Sequence, residues 1–290
     1  MKLQTAARKR AKIKMALQGP SGSGKSFSAL QIAKGLCLKW ESIAVIDSEN
    51  GSSELYSHLG SYQVLQLHAP FSPERYIEAI TLCEQAGMEV VIIDSITHEW
   101  ENLLEYHSSM QGNSFTNWGK VTPRHNAFVQ KILQSPLHII CTMRTKQDYI
   151  LNERNGKMVP EKVGLKSVQR DGLEYELTLV FDLDMKNNAL ASKDRTGLFF
   201  GKPESKLSIS TGREILHWCN QEFTGPTTDD VIERINRTAT IGELVHLYTE
   251  FQGFQQVLKP EFEKRKLELL ANSDVTKKLA SSKLPTKGVK

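Results

Sequence analysis

Eight consecutive residues, Gly19-Pro20-Ser21-Gly22-Ser23-Gly24-Lys25-Ser26, fit the pattern G-x-x-x-x-G-K-[ST] of a phosphate-binding loop. Glycines in such a stretch let successive backbone N–H groups turn inward around phosphate oxygens. The positive end of the following helix stands behind them. Lys25 is placed to reach β- and γ-phosphates, and Ser26 to offer its hydroxyl to Mg²⁺. An inert glycine- and serine-rich turn would share the composition but not the flanks. Ile13 to Leu17 reads as a short strand, and Ser26 to Leu36 as a helix with Leu30, Ala33 and Leu36 on one face.

Two further acids complete a possible site. Glu89 to Ser95 is a buried strand pattern, Val-Val-Ile-Ile closing on Asp94, where a parallel sheet presents ligand-binding groups. Downstream of a phosphate loop, such an acid serves the Mg²⁺ shell, so Ser26 and Asp94 form the expected metal pair. Ser42 to Asp47 is a second buried strand, continuing into Ser48 and Glu49. A hydrolase needs a base or water-positioning group near the γ-phosphate, and Glu49 has the right chemistry and place.

The elements that position these groups alternate along the chain. Tyr62 to Leu67 and Leu137 to Thr142 read as further strands, with a helix opened by Pro73 and ending near Ala86. Glu99 to Tyr106 looks helical, Met110 to Trp118 irregular, and Pro123 is expected to open a helix to Leu133. Arg144 to Gly172 reads as a long polar loop with a turn at Asn155-Gly156, and loops of such length are usually functional. Glu174 to Asp184 and Ala189 to Phe200 suggest strands of a late hairpin. After about Gly225 the composition changes to short helical segments, among them a capping box at Thr240-Ile241-Gly242-Glu243. The expected organisation is a basic arm (1–11), an α/β core (12–224), a helical appendage (225–274) and a basic, disordered tail (275–290).

Composition narrows the class. The chain of 290 residues carries a mild net charge of +4, concentrated at its ends. Four widely spaced cysteines without a C-x-x-C pair suggest reduced usage and no metal cluster. No apolar run approaches a membrane span and no signal-peptide pattern opens the chain, so the expectation is a cytoplasmic protein. Alternating strands and helices behind a phosphate loop imply a mostly parallel sheet flanked by helices.

The Val45-Ile46-Asp47-Ser48-Glu49 stretch, followed by Leu55-Tyr56, resembles that of RecA-like recombinase ATPases, and Ile92-Ile93-Asp94-Ser95 resembles their magnesium strand. The stretches Gly19–Ser26, Phe71–Tyr76, Asp94–Trp100, Phe115–Asn126, Val168–Tyr175 and Ala191–Gly197 resemble the phage-type AAA ATPases, a family of phage nucleotide-binding proteins. That family includes the fourth Sak group of single-strand annealing proteins. The likeness spans roughly residues 10 to 220 and is most specific at 114–126.

The resemblance implies a RecA-like P-loop NTPase using ATP and Mg²⁺, with Glu49 and Lys25 as catalytic groups. It also implies that Lys193 and Arg195, which share one face of a strand, act as fingers on a neighbouring subunit's γ-phosphate. The expected partners are single-stranded DNA and further copies in a ring or short filament. A single-stranded-DNA-binding protein or helicase is a further candidate, in the host bacterium's cytoplasm. The family's sensor glutamine is missing: Thr142-Met143-Arg144 takes its place, leaving Arg144 or Gln147 as candidates.

The resemblance implies DNA contacts at Lys146, Arg154, Lys157, Lys162, Lys166 and Arg170, where six bases against three acids over 146–170 suit phosphate contacts. Trp118 and Tyr149 are the aromatic candidates for base stacking. His125, without an acid partner at a known spacing, reads as a packed histidine. Thr145-Lys146-Gln147-Asp148 matches a guanine-reading motif, but Asp94-Ser95-Ile96-Thr97 lacks the glycine of D-x-x-G. The alternative of a different class is a nucleotide-dependent switch or loader that recruits a replication protein.

Overall fold

The computed structural model describes residues 11–154, 157–221 and 226–281, with side chains for 11–146, 166–221 and 226–271. The contacts divide the chain into units of residues 1–222 and 223–290. The first is an α/β sheet in the order β3-β2-β4-β5-β1-β7-β8, with β6 paired to β5. The strands are β1 (Lys14–Gly19), β2 (Ile43–Asp47), β3 (Gln63–Gln66), β4 (Val90–Asp94), β5 (His138–Arg154), β6 (Lys157–Ser167), β7 (Leu179–Leu183) and β8 (Ala189–Asp194). Strands β1 to β5 and β7 run parallel, while β6 and β8 return antiparallel. This is the α/β P-loop NTPase fold.

Both faces of the sheet are covered, as its near-continuous apolar strands require. On one face pack α1 (Lys25–Leu36) and α6 (Ile209–Asn220). Leu30, Ala33 and Ile215 meet Met15, Leu17, Val45 and Ile92 there. On the other pack α2 (Pro73–Gln85) and α4 (Ser114–Gln134), where Tyr76, Ile80 and Phe128 meet Ala16, Ala44, Ile46, Val91 and Ile93. Side chains alternate with period two. Val45 and Ile92 face α1, so Asp47 and Asp94 at the strand ends face α1 as well. Helix α6 was not foreseen. It lies on α1 through glycines, since a Cβ on Gly35 would stand 2.6 Å from the Gly212 Cα.

Several expectations need correction. The helix expected at Glu99 to Tyr106 lies within α3 (Thr97–Ser109), but the stretch expected to be irregular carries the first turn of α4, which starts at Ser114 and holds Pro123 in its interior. Proline is usual in a first turn and costs a rung inside a helix. Buried Val121, His125, Phe128 and Ile132 on either side offset that loss. The polar stretch after Arg144 is not a loop. β5 runs on past the sheet and pairs with β6 as a two-stranded ribbon, from Thr145↔Ser167 to Arg154↔Lys157. Its turn, at 155–156, lies outside the described residues. Glu174–Asp184 is not one strand either: it splits into the short helix α5 (Leu173–Glu176) and β7.

The second unit contains α7 (Thr228–Arg237), α8 (Ile241–Glu250) and α9 (Lys259–Ser281), packed through Val231, Ile235, Leu244, Leu247, Leu258 and Phe262. Thr240 Oγ1 caps α8 by accepting from Glu243 N, and Glu243 Oε2 accepts from Ala239 N. Helix α9 carries on to Ser281, past residue 275 where the tail was expected to begin, because the chain meets no proline before Pro285. The basic arm at 1–10 and residues 282–290 lie outside the described residues. No helix among the described residues is long and apolar enough to cross a membrane.

At the foot of the sheet, buried His138 Nδ1 accepts a hydrogen bond from Ile13 N at 3.2 Å. Burial pushes its imidazole down to about 3. The unfolded chain therefore binds a proton near pH 6.5 that the folded chain refuses until about 3. Stability present above 6.5 is lost as pH falls, by up to about 1.4 kcal/mol per pH unit. In His138→Asn, which keeps an acceptor but cannot titrate, the urea midpoint should fall less steeply between pH 6.5 and 4.5. Equal slopes would contradict the assignment.

Candidate active site

The phosphate-loop stretch joins the end of β1 to the start of α1. Gly24 precedes the helix at φ 79, a left-handed conformation open to glycine. Lys25 Nζ lies inside the loop, donating to the carbonyls of Gly19 at 3.0 Å and Pro20 at 2.9 Å. Burial lowers its pKa, with Asp94 and Glu49 pulling the other way. The Ser23 hydroxyl is buried with no hydrogen-bond partner among the described residues. A cationic amine and an orphaned hydroxyl at the start of a helix together form a cradle suited to anionic oxygens.

Asp94 reaches the loop from β4, as strand alternation requires. Ser26 Oγ donates to its Oδ2 and Thr142 Oγ1 to its Oδ1, both at 2.5 Å. Asp94 is 3 % exposed, and burial raises its carboxyl above the ordinary range despite those two hydrogen bonds. A buried carboxylate facing a serine hydroxyl is an oxygen donor set suited to Mg²⁺. The sequence reading missed Thr142 because its partner depends on β5 lying beside β4.

Glu49 follows β2, next to β4. Its backbone is placed by Asp47, fully buried, which accepts from Glu49 N at 2.7 Å and from Ser53 N at 2.9 Å. Ser95 Oγ donates to Glu49 Oε1 at 3.1 Å. Arg144, at the root of the β5–β6 ribbon, grips the same carboxylate with two nitrogens, Nε on Oε1 at 3.0 Å and Nη2 on Oε2. The pairing raises the Arg144 pKa. His98 Nε2 stands 3.9 Å from Glu49 Oε1, and its Nδ1 bonds Ser48 Oγ at 2.8 Å. The structure thus gathers Lys25, Ser26, Asp94 and Glu49 at one end of the sheet. It adds Thr142 and Ser95 to them, and it brings Arg144, one of the two candidates for the missing sensor glutamine, onto Glu49.

Other candidates lie elsewhere. Lys193 and Arg195 share a face of the β8 end, and both donate to the Tyr175 carbonyl, Arg195 Nη2 at 2.7 Å. Lys193 pairs with Val180, which sits beside Ala16. That is three residues short of Gly19, roughly 10 Å along the strand and away from the loop of the same chain. Trp118 is not a free stacking platform. Trp100 and His107 lie nearly parallel to its ring, at centroid separations of 6.0 and 4.2 Å. His125 does have an acid partner: its Nδ1 lies 3.2 Å from both oxygens of fully buried Glu99. The link joins α3 to α4 across a spacing that the sequence alone does not flag.

Of the basic residues, Lys146 is exposed, Lys166 pairs with Asp171 at 2.9 Å, and Arg170 donates to Asn126 at 3.0 Å. The side chains of Gln147, Tyr149, Arg154, Lys157 and Lys162 lie outside the described residues.

Residues 11–210 match a family model described as an AAA domain. No curated protein matches the chain.

Thr142→Val removes one of two hydroxyl donors to a buried carboxylate while keeping the side chain's shape. It should lower unfolding stability by roughly 1–3 kcal/mol without ligand. A urea midpoint equal to that of the wild type would contradict the role of Thr142 in satisfying Asp94.

Proposed function

The chain belongs to the AAA-domain family, which points to a nucleotide-binding ATPase, and on that premise we propose that it hydrolyses ATP while acting on single-stranded DNA in recombination, annealing or replication. The observation that carries the ATPase reading is the convergence of Lys25, Ser26, Asp94 and Glu49 from the ends of β1, β4 and β2, on one edge of the sheet.

On this reading the loop from Gly19 to Ser26 binds the triphosphate through inward amides. Lys25 exchanges its two carbonyl partners for phosphate oxygens. Ser26 and Asp94 hold Mg²⁺, which when bound would neutralise charge on the phosphoryl oxygens. Glu49 takes the proton of the attacking water. To do so it must leave the Arg144 guanidinium, which makes Arg144 the candidate reporter of nucleotide state in place of a sensor glutamine.

The DNA reading is supported by the ribbon's register. Lys146 lies opposite Lys166, and Arg154 opposite Lys157. Like charges directly across a strand pair repel, so exposed Lys146 opposite Lys166, whose own acid partner is Asp171, favours an anionic partner. The ribbon starts at Arg144, so an anion on the ribbon and the state of Glu49 share one strand. The placement of Lys193 and Arg195 away from their own loop supports action on a neighbouring copy in a ring or short filament. The Arg144–Glu49 clamp also favours a second reading, a nucleotide switch or loader in which binding rather than turnover orders the ribbon for a partner.

Turnover measured with and without single-stranded DNA separates the two readings. The recombination reading predicts stimulation of ATP hydrolysis and salt-sensitive DNA binding, and absence of both would overturn it. Glu49→Gln should retain ATP binding and lose roughly a hundredfold or more in turnover; unchanged turnover would remove Glu49 from the chemistry. Mixing Lys193→Ala/Arg195→Ala chains with Lys25→Ala chains should restore part of the activity if the fingers act across subunits. No recovery would place them elsewhere.

A further inference from the structure

The outer side of the phosphate loop is braced by a segment distant in sequence. β7 ends against it: a Cβ on Gly19 would lie 2.6 Å from the Leu183 carbonyl oxygen. The turn that follows, residues 184–188, continues along the loop. Met185 Cε lies 3.7 Å from the corresponding point on Gly22, and the Asn187 amide nitrogen 2.7 Å from that on Gly24. Asn187 Nδ2 donates to the Gly22 carbonyl at 3.5 Å. The turn is tightly made. Asp184 Oδ1 accepts from Lys186 N and Asn188 N, each at 2.8 Å. Asn187 takes φ 63, a conformation asparagine tolerates better than most side chains.

The contact has a directional consequence. The carbonyl of Gly22 and the N–H of Ser23 belong to one planar trans peptide and point opposite ways. A donor holding that carbonyl from outside keeps the N–H turned in. Ser23 N does point across the loop, donating to the Pro20 carbonyl at 3.2 Å, beside Lys25 Nζ on the same oxygen. We propose that Asn187 is a positioning residue of the nucleotide site, holding the Gly22–Ser23 peptide from behind so that the Ser23 amide faces the phosphates. The inference rests on the nucleotide reading above. The ligand chemistry it serves is a polyphosphate chain, not the base.

Equilibrium binding of ATP and of inorganic tripolyphosphate to the full chain tests this, for wild type, Asn187→Ala and Asn187→Gly. Thermal melts without ligand accompany each measurement. Asn187→Gly keeps access to positive φ and removes the side chain with its amide. It should lose roughly fivefold to tenfold in affinity for both ligands alike, the loss expected for one hydrogen bond. Its ligand-free melting midpoint should stay at the wild-type value, and Asn187→Ala should lose at least as much affinity. Wild-type affinity in both variants overturns the proposal and leaves the nucleotide reading standing. A loss confined to ATP overturns it too, placing Asn187 at the base or ribose. So does a loss that only follows a lowered ligand-free midpoint, which would make the role structural. A wild-type chain that binds neither ligand overturns the nucleotide reading itself.

Discussion

A carboxylate almost shut off from water, Asp94, is the interaction on which the rest of the site depends. Burial disfavours its charge, and two hydroxyls, from Ser26 and Thr142, hold it in place. Those hydroxyls come from the first turn of α1 and from β5, so the carboxylate ties the helix behind the phosphate loop to two adjacent strands. A buried anion with so little compensation favours a cation, and the serine beside it is the partner a magnesium site would use.

Strand order turns this local need into a wider arrangement. β4 lies between β2 and β5, so Asp94 has Glu49 to one side and Thr142 and Arg144 to the other. β5 does not stop at the sheet edge. The strand that supplies Thr142 and Arg144 continues into the ribbon, paired with β6 from Thr145 to Arg154. On the opposite flank β1 lies beside β7, whose closing turn presses on the phosphate loop. The loop is thereby gripped from behind while its inner side stays open.

Much of this was legible in the residues. Gly19–Ser26 announced itself because phosphate binding demands a particular backbone. Asp94 and Glu49 stood out as acids closing apolar strands. What stayed hidden depended on partners far apart in the chain. Arg144 grips Glu49 across 95 residues, a meeting set by sheet order. The ribbon was hidden because strands that leave a sheet need no buried face, and its charged residues read as a loop. Pro123 misled because proline marks helix starts more often than interiors, and tertiary packing decided otherwise. Lys193 lies on β8 and Arg195 just past its end, and their meeting at the Tyr175 carbonyl says nothing about which subunit's phosphates they would serve.

If Asp94 and Ser26 form a cation site coupled to the phosphate-binding loop, a divalent cation and a nucleotide bind together. The most direct measurement is the Mg²⁺ dependence of affinity for a non-hydrolysable ATP analogue, in wild type and Asp94→Asn. Mg²⁺ should tighten binding to the wild type, and Asp94→Asn should lose most of that gain. An equal gain from Mg²⁺ in both chains, or none in the wild type, would contradict that coupling.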